Sequence, residues 1–142
     1  MDVNGTTFEH LPRDECLRLM GQVALGRIVY TRQALPAVEL VNFTVDEDDI
    51  IIRTDSSGKL AAATRGAVVA FEADSVDTVT RMGWSVTIVG YSRAVSDSDE
   101  IRHLERIGLV SWAPGKRDHF IRISPSIVNG RRLTGEAHAS PV

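Results

Sequence analysis

The chain has 142 residues, with 16 Lys plus Arg against 19 Asp plus Glu, a formal net charge of −3 with His neutral. That length suits one domain, and 43% apolar with 25% charged residues is the balance of a globular protein rather than a disordered or fibrous one. The slightly acidic charge argues against a nucleic-acid surface, which needs clustered cations. No apolar run approaches the roughly 20 residues that cross a bilayer, and the polar start Met1-Asp2-Val3-Asn4-Gly5 lacks signal-peptide regions, so a cytoplasmic protein with no membrane partner is expected. Val, Ile and Thr together make up 36 residues, a β-branched excess that favours strands over a helical bundle. A single cysteine, Cys16, excludes an internal disulfide and reads as a core thiol.

In chain order, Leu11 to Met20 carries Pro12 near its start, acids in its first turn and apolar Cys16, Leu17 and Met20, which predicts a short amphipathic helix. Arg27 to Thr31 reads as a first strand. A turn around Gln33-Ala34-Leu35-Pro36 leads to a long strand over Ala37 to Val45. The acidic tetrad Asp46-Glu47-Asp48-Asp49 is expected to be an exposed hairpin turn before the strand Ile50 to Thr54. It lacks the spacing and later Glu of a calcium loop, so no metal site is expected. Lys59 to Gly66 predicts a second helix. Strands follow at Ala67 to Ala73 and Trp84 to Val95, with Asp74 to Gly83 as a surface loop or hairpin end. Asp97 and Glu100 form a capping-box pattern that opens a third helix through Ile107. After a loop from Ser111 to Asp118, two last strands are expected at His119 to Ile123 and Val128 to Leu133. Short connections between strands adjacent in sequence predict a mainly β, α+β fold: an antiparallel barrel with short flanking helices.

The usual catalytic motifs fail. Gly90-Tyr91-Ser92-Arg93-Ala94 lies inside a strand, where it cannot make a nucleophile elbow. His10, His103, His119 and His138 show no metal-pair spacing, and no Gly-x-Gly-x-x-Gly follows a strand. Ser57-Gly58-Lys59-Leu60 echoes the end of a phosphate loop, but Arg53 and Leu60 stand where a glycine and a magnesium-binding hydroxyl belong. The same segment offers Arg53, Thr54, Ser56, Ser57 and Lys59 around a strand end, a loop and a helix start. Two readings stand: a cradle for an anion, or a solvated loop with a helix cap.

An ordered set of segments resembles a known family. It comprises Gly26-Arg27-Ile28-Val29-Tyr30, Leu40-Val41-Asn42-Phe43, Ile52-Arg53-Thr54, Gly58-Lys59-Leu60, Val69-Ala70-Phe71-Glu72, Gly83-Trp84-Ser85-Val86, Trp112-Ala113-Pro114-Gly115 and Arg117-Asp118-His119. Together, from about Leu11 to Leu133, these resemble the small pyridoxamine 5′-phosphate oxidase-like proteins, FMN-binding split β-barrels common in actinobacteria. The resemblance implies an N-terminal extension at 1–10, a split-barrel domain at 11–133 and a flexible tail at 134–142. It implies a homodimer with FMN in a groove between the two barrels. Arg53, Thr54, Ser57 and Lys59 would hold the phosphate. The backbone at Val41, Asn42 and Phe43 would meet the polar edge of the ring system, and Trp84 and Ser85 would reach the flavin from the partner subunit. For Trp84 the alternative is an ordinary barrel residue packed at the dimer surface. Trp112 and His119 would border the substrate side, or else only close the barrel end.

The longer pyridoxamine phosphate oxidases carry a substrate-reading C-terminal segment that has no counterpart after Leu133, so vitamin B6 oxidation is not expected. The resemblance implies flavin-mediated hydride transfer to a small-molecule substrate. Alternatives are an F420H2-dependent reductase on the same fold and a non-catalytic flavin- or ligand-sequestering protein.

Overall fold

Strand registers define the architecture. The computed structural model describes residues 7–54, 58–110 and 119–135, so the expected roles of Ser57 and Trp112, and the tail from residue 136, lie outside the described residues. The chain runs β1 (Thr7–Leu11), α1 (Arg13–Met20), β2 (Leu25–Arg32), β3 (Leu35–Asp46), β4 (Asp49–Thr54), α2 (Lys59–Thr64), β5 (Val68–Asp77), β6 (Met82–Ala94), α3 (Ser98–Arg106) and β7 (His119–Thr134). The strands pair in the order β1-β7-β4-β3-β2-β5-β6, and β6 pairs back onto β7, which closes six of them into a barrel. All of these pairings are antiparallel. The expected mainly β barrel with short flanking helices is the observed fold. No helix among the described residues is long and apolar enough to cross a membrane.

Three elements differ from expectation. Thr7–Leu11, in the stretch read as an extension, is a strand paired with Gly130–Thr134. The region from Asp74 to Gly83 is mostly strand: β5 and β6 stay paired as far as Asp77 and Met82, and the Asp77 carboxylate accepts from the Val79 and Thr80 backbone N–H groups. The two expected final strands are one, β7. Pro125 interrupts its sequence, but β4 pairs with β7 only through Ile123 and β1 only from Gly130, so no ladder partner on that side needs the missing N–H. On the other side the β6–β7 register shifts between Val89 and Gly90, where Pro125 lies opposite Gly90.

Alternation sends Ile28, Phe43, Ile50, Ile52, Phe71, Val86, Ile88, Ile121 and Ile123 into the barrel, where α1 adds Cys16, Leu17 and Met20. Ile51 points the other way, into a second cluster with Val95, Leu104, Leu109 and Phe120 beneath α3. The unbroken Ile50-Ile51-Ile52 run thus serves a strand covered on both faces.

The acidic tetrad departs most from its expected role. Only Glu47 and Asp48 form the turn, with φ values of 50° and 66°. Asp46 and Asp49, opposite each other in register, converge on Arg122 of β7, whose side chain is 7% exposed. Arg122 Nη2 donates to Asp46 at 2.9 Å, Nη1 to Asp49 at 3.0 Å and Nε to Glu100 of α3 at 2.8 Å. Arg93 holds Glu100 through two further bonds of 3.0 and 2.7 Å, and His103 Nε2 lies 2.9 Å from Asp46. The expected capping box is half formed: Asp97 accepts from the Glu100 N–H, while the Glu100 carboxylate goes to the arginines. Burial pushes the Asp46 carboxyl upward, but the hydrogen bonds from Arg122 and His103 outweigh it and hold the group below its usual range. The bonds from Arg93, against a smaller opposing effect of burial, depress Glu100 likewise.

Removing the cation leaves three carboxylates facing one another, so Arg122→Ala should lose about 3–5 kcal/mol in urea unfolding. For Asp46 the folded chain binds its proton less readily than the unfolded chain. Its contribution is therefore full above the ordinary carboxylate range and is lost as pH falls through it, so the penalty of Asp46→Asn, read by urea unfolding, should shrink from about pH 6 to about pH 3. At the β2–β3 turn, Ala34 sits at φ 66°, and Ala34→Gly should raise stability by about 0.5–1 kcal/mol.

Candidate functional site at the barrel fork

β3 uses two partners in succession. From Leu35 to Asn42 it pairs with β2, and only from Phe43 to Asp46 does it also pair with β4. The β3–β4 pairing ends at Phe43 and Ile52, so continuing the register sets Asn42 across from Arg53 and Val41 across from Thr54, where the strands part. These four expected site residues therefore flank one fork.

On the β3 side the side chains are committed to packing. Asn42 is 7% exposed and its Nδ2 donates to the Ala24 carbonyl at 3.3 Å. The Phe43 N–H reaches the same carbonyl at 3.1 Å, and its ring meets Phe71 edge-on at 4.8 Å. Val41 packs half-buried against the core. Past the last β3–β4 pair, β3 continues along the fork at Asn42 and Val41, while the Phe43 N–H is already spent on Ala24.

On the β4 side the groups are cationic and polar. The Arg53 guanidinium lies 5.0 Å from the Phe120 ring centre and donates to the Leu109 carbonyl at 3.3 Å, which fixes its direction. Leu109 follows α3, so the ion network that seats α3 also helps to seat Arg53. Thr54 ends β4 and its hydroxyl donates to the His119 carbonyl at 3.4 Å. Gly58, at φ +67°, turns the chain into α2, whose first residue is the exposed Lys59. A Cβ on Gly58 would come within 3.4 Å of the His119 ring, so the imidazole closes over this glycine. Arg53, Thr54, Lys59 and His119 are thus brought to one end of the β4–β7 pair. Two cations with a hydroxyl and an imidazole suit a phosphate or carboxylate, which forms charge-assisted bonds with such donors.

Trp84 and Ser85 separate by alternation. Trp84 is 6% exposed and packs in the core of its own barrel, rather than at a surface that a partner subunit could meet. Ser85 faces outward beside Arg131, its register partner on β7. The contact of His119 with Gly58 escaped the sequence reading. The available signal was that Thr54 and His119 end and begin strands that pair. Among the described residues no group of His, Cys, Asp or Glu could hold a metal ion.

The family model described as pyridoxamine 5′-phosphate oxidase matches residues 12–132. The uncharacterized protein Rv0080 of Mycobacterium tuberculosis is 39% identical over 132 residues, covering 89% of this chain and 86% of that one. The FAD binding protein from Mycobacterium smegmatis superposes with a TM-score of 0.75 at 34% identity, covering 88% of this chain and 98% of that one. An FAD-binding protein from Mesorhizobium loti shares the fold at a TM-score of 0.74 and 20% identity, over 92% and 99% of the two chains. With the family model matched over almost the whole barrel, the chain belongs to the pyridoxamine 5′-phosphate oxidase-like family of split β-barrels.

Proposed function

We propose that the protein is a homodimeric, FMN-binding oxidoreductase that passes hydride equivalents to a small-molecule substrate. The observation that carries this reading is the fork, where β3 runs on past the end of its pairing with β4 and Arg53, Thr54 and Lys59 gather on the other side. A flavin nucleotide needs both: donors and acceptors along the polar edge of its ring system, and cations at its phosphate. Ser57 belongs to the same phosphate set, and His119, over Gly58, would border the bound group. Bound flavin supplies the hydride chemistry, so the chain's work is to hold the ring, orient it and limit water around it. Ser85 lies on the outer face that a second barrel would cover.

A second reading, FAD in place of FMN, is favoured by the Mycobacterium smegmatis relative, which binds FAD. Titrating FMN, FAD and F420 into cofactor-free protein, followed by visible absorbance and fluorescence, separates these; binding of none at micromolar concentration overturns the flavin reading. Anaerobic reduction of the loaded protein by NADPH, then reoxidation by small acceptors, separates an oxidoreductase from a sequestering protein. Lys59→Ala should weaken flavin binding about tenfold or more, the loss of a charge-assisted contact of about 1.5–3 kcal/mol. Equal affinity in the variant would place the phosphate elsewhere.

A further inference from the structure

A second concave site lies on the outer face of the sheet, where β6, β7 and β1 run side by side. His10, Arg131 and Ser85 are register partners there, and Asn129 and Thr87 form the next outward pair. Between these two levels Leu11, Gly130 and Val86 face the core, so the Gly130 backbone forms the floor. The five outward side chains and this glycine enclose a cavity of about 240 Å³.

Its chemistry is one-sided. The lining offers a guanidinium, an imidazole, two hydroxyls and a carboxamide, all of which can donate, and no carboxylate. Arg131 rests against an aromatic ring, its guanidinium 4.6 Å from the Phe8 ring centre, a contact that uses none of its N–H donors in a conventional hydrogen bond. Among the described residues, none of the five side chains has a hydrogen-bond or ion-pair partner. Nearby carboxylates are directed elsewhere. Asp74, opposite Ser85 on β5, shares Arg27 with Glu72, at 3.7 and 3.1 Å. Glu9, beside His10, alternates to the other face together with its register partner Arg132.

We propose that this cavity is a binding site for a small monocarboxylate, held by Arg131 with Ser85, Thr87, Asn129 and His10 as further donors. Charge selects among the oxyanions. The site brings one permanent positive charge, which balances a carboxylate and leaves a phosphate dianion in excess. Size limits the rest of the ligand, because about 240 Å³ falls short of the roughly 300–1,000 Å³ that encloses a drug-sized molecule. An acid of a few carbons fits; a nucleotide does not. The proposal stands apart from the flavin reading, since His10, Thr87, Asn129 and Arg131 belong to neither side of the fork and Ser85 alone is shared with it.

Nuclear magnetic resonance of the isotope-labelled, cofactor-free full chain tests this, with acetate and inorganic phosphate titrated separately at constant ionic strength so that general screening does not change. Acetate should move the backbone amide signals of Ser85, Thr87, Gly130 and Arg131 along a saturating curve, and phosphate should bind there more weakly. Arg131→Ala should weaken acetate binding by about tenfold or more, while Arg131→Lys, which keeps the charge and loses the planar fork, should retain part of the affinity. Both variants change an exposed side chain and should keep the native circular dichroism spectrum. Acetate that leaves these signals in place, or that binds Arg131→Ala as tightly as wild type, overturns the site. Phosphate binding as tightly as acetate overturns the monocarboxylate assignment. Movement of the same signals by FMN and not by acetate overturns the proposal and returns these residues to the flavin site.

Discussion

One guanidinium organises the end of the barrel that faces α3. Arg122 leaves β7 and binds carboxylates from the β3–β4 hairpin and from α3. Those carboxylates come from positions 22, 73 and 76 residues away. Taking such charges out of water is costly, and the cost is met only when every group has its partner, as Arg93 and His103 ensure for Glu100 and Asp46. A pair of apolar residues could hold α3 with similar strength. The ion network adds direction, since a guanidinium accepts its partners only in its own plane.

That direction reaches the candidate site. α3 ends against a cluster of Ile51, Leu104, Leu109 and Phe120. The carbonyl of Leu109 and the ring of Phe120 both help to aim Arg53. A cation on a long stem loses much rotamer freedom when it binds an anion. Here part of that loss is met on folding. The β3 side of the fork is arranged on the same logic, because the Asn42 amide and the Phe43 N–H are fixed on the Ala24 carbonyl and the Phe43 ring on Phe71.

Much of this was legible in the sequence because local chemistry wrote it. The strands announce themselves by β-branched runs, the Asp97 cap by its spacing, and the candidate site by Arg53-Thr54 and Lys59 around a serine-glycine loop. What escaped depends on distant partners. Asp46 and Asp49 look like the rest of an exposed acidic turn, and only a guanidinium on β7 tells them apart from Glu47 and Asp48. Pro125 reads as a strand breaker until the gap between β4 and β1 shows that its missing donor has no ladder to break. Trp84 and Ser85 are adjacent in sequence, yet alternation sends one inside and one outside, and the parity of β6 is set by its whole register.

Gly130 gives the fold a property of a different kind. A Cβ there would collide with the Cys16 sulfur, so the bare backbone lets α1 press its thiol against β7, where it is completely buried and its Sγ–H points to the Leu11 carbonyl. Burial raises the thiol pKa, keeping the sulfur protonated and poor as a nucleophile at neutral pH. The native fold therefore presents a surface without a reactive thiol. A cysteine introduced anywhere on the barrel would carry a fluorophore or spin label alone, and the natural residue need not be removed first.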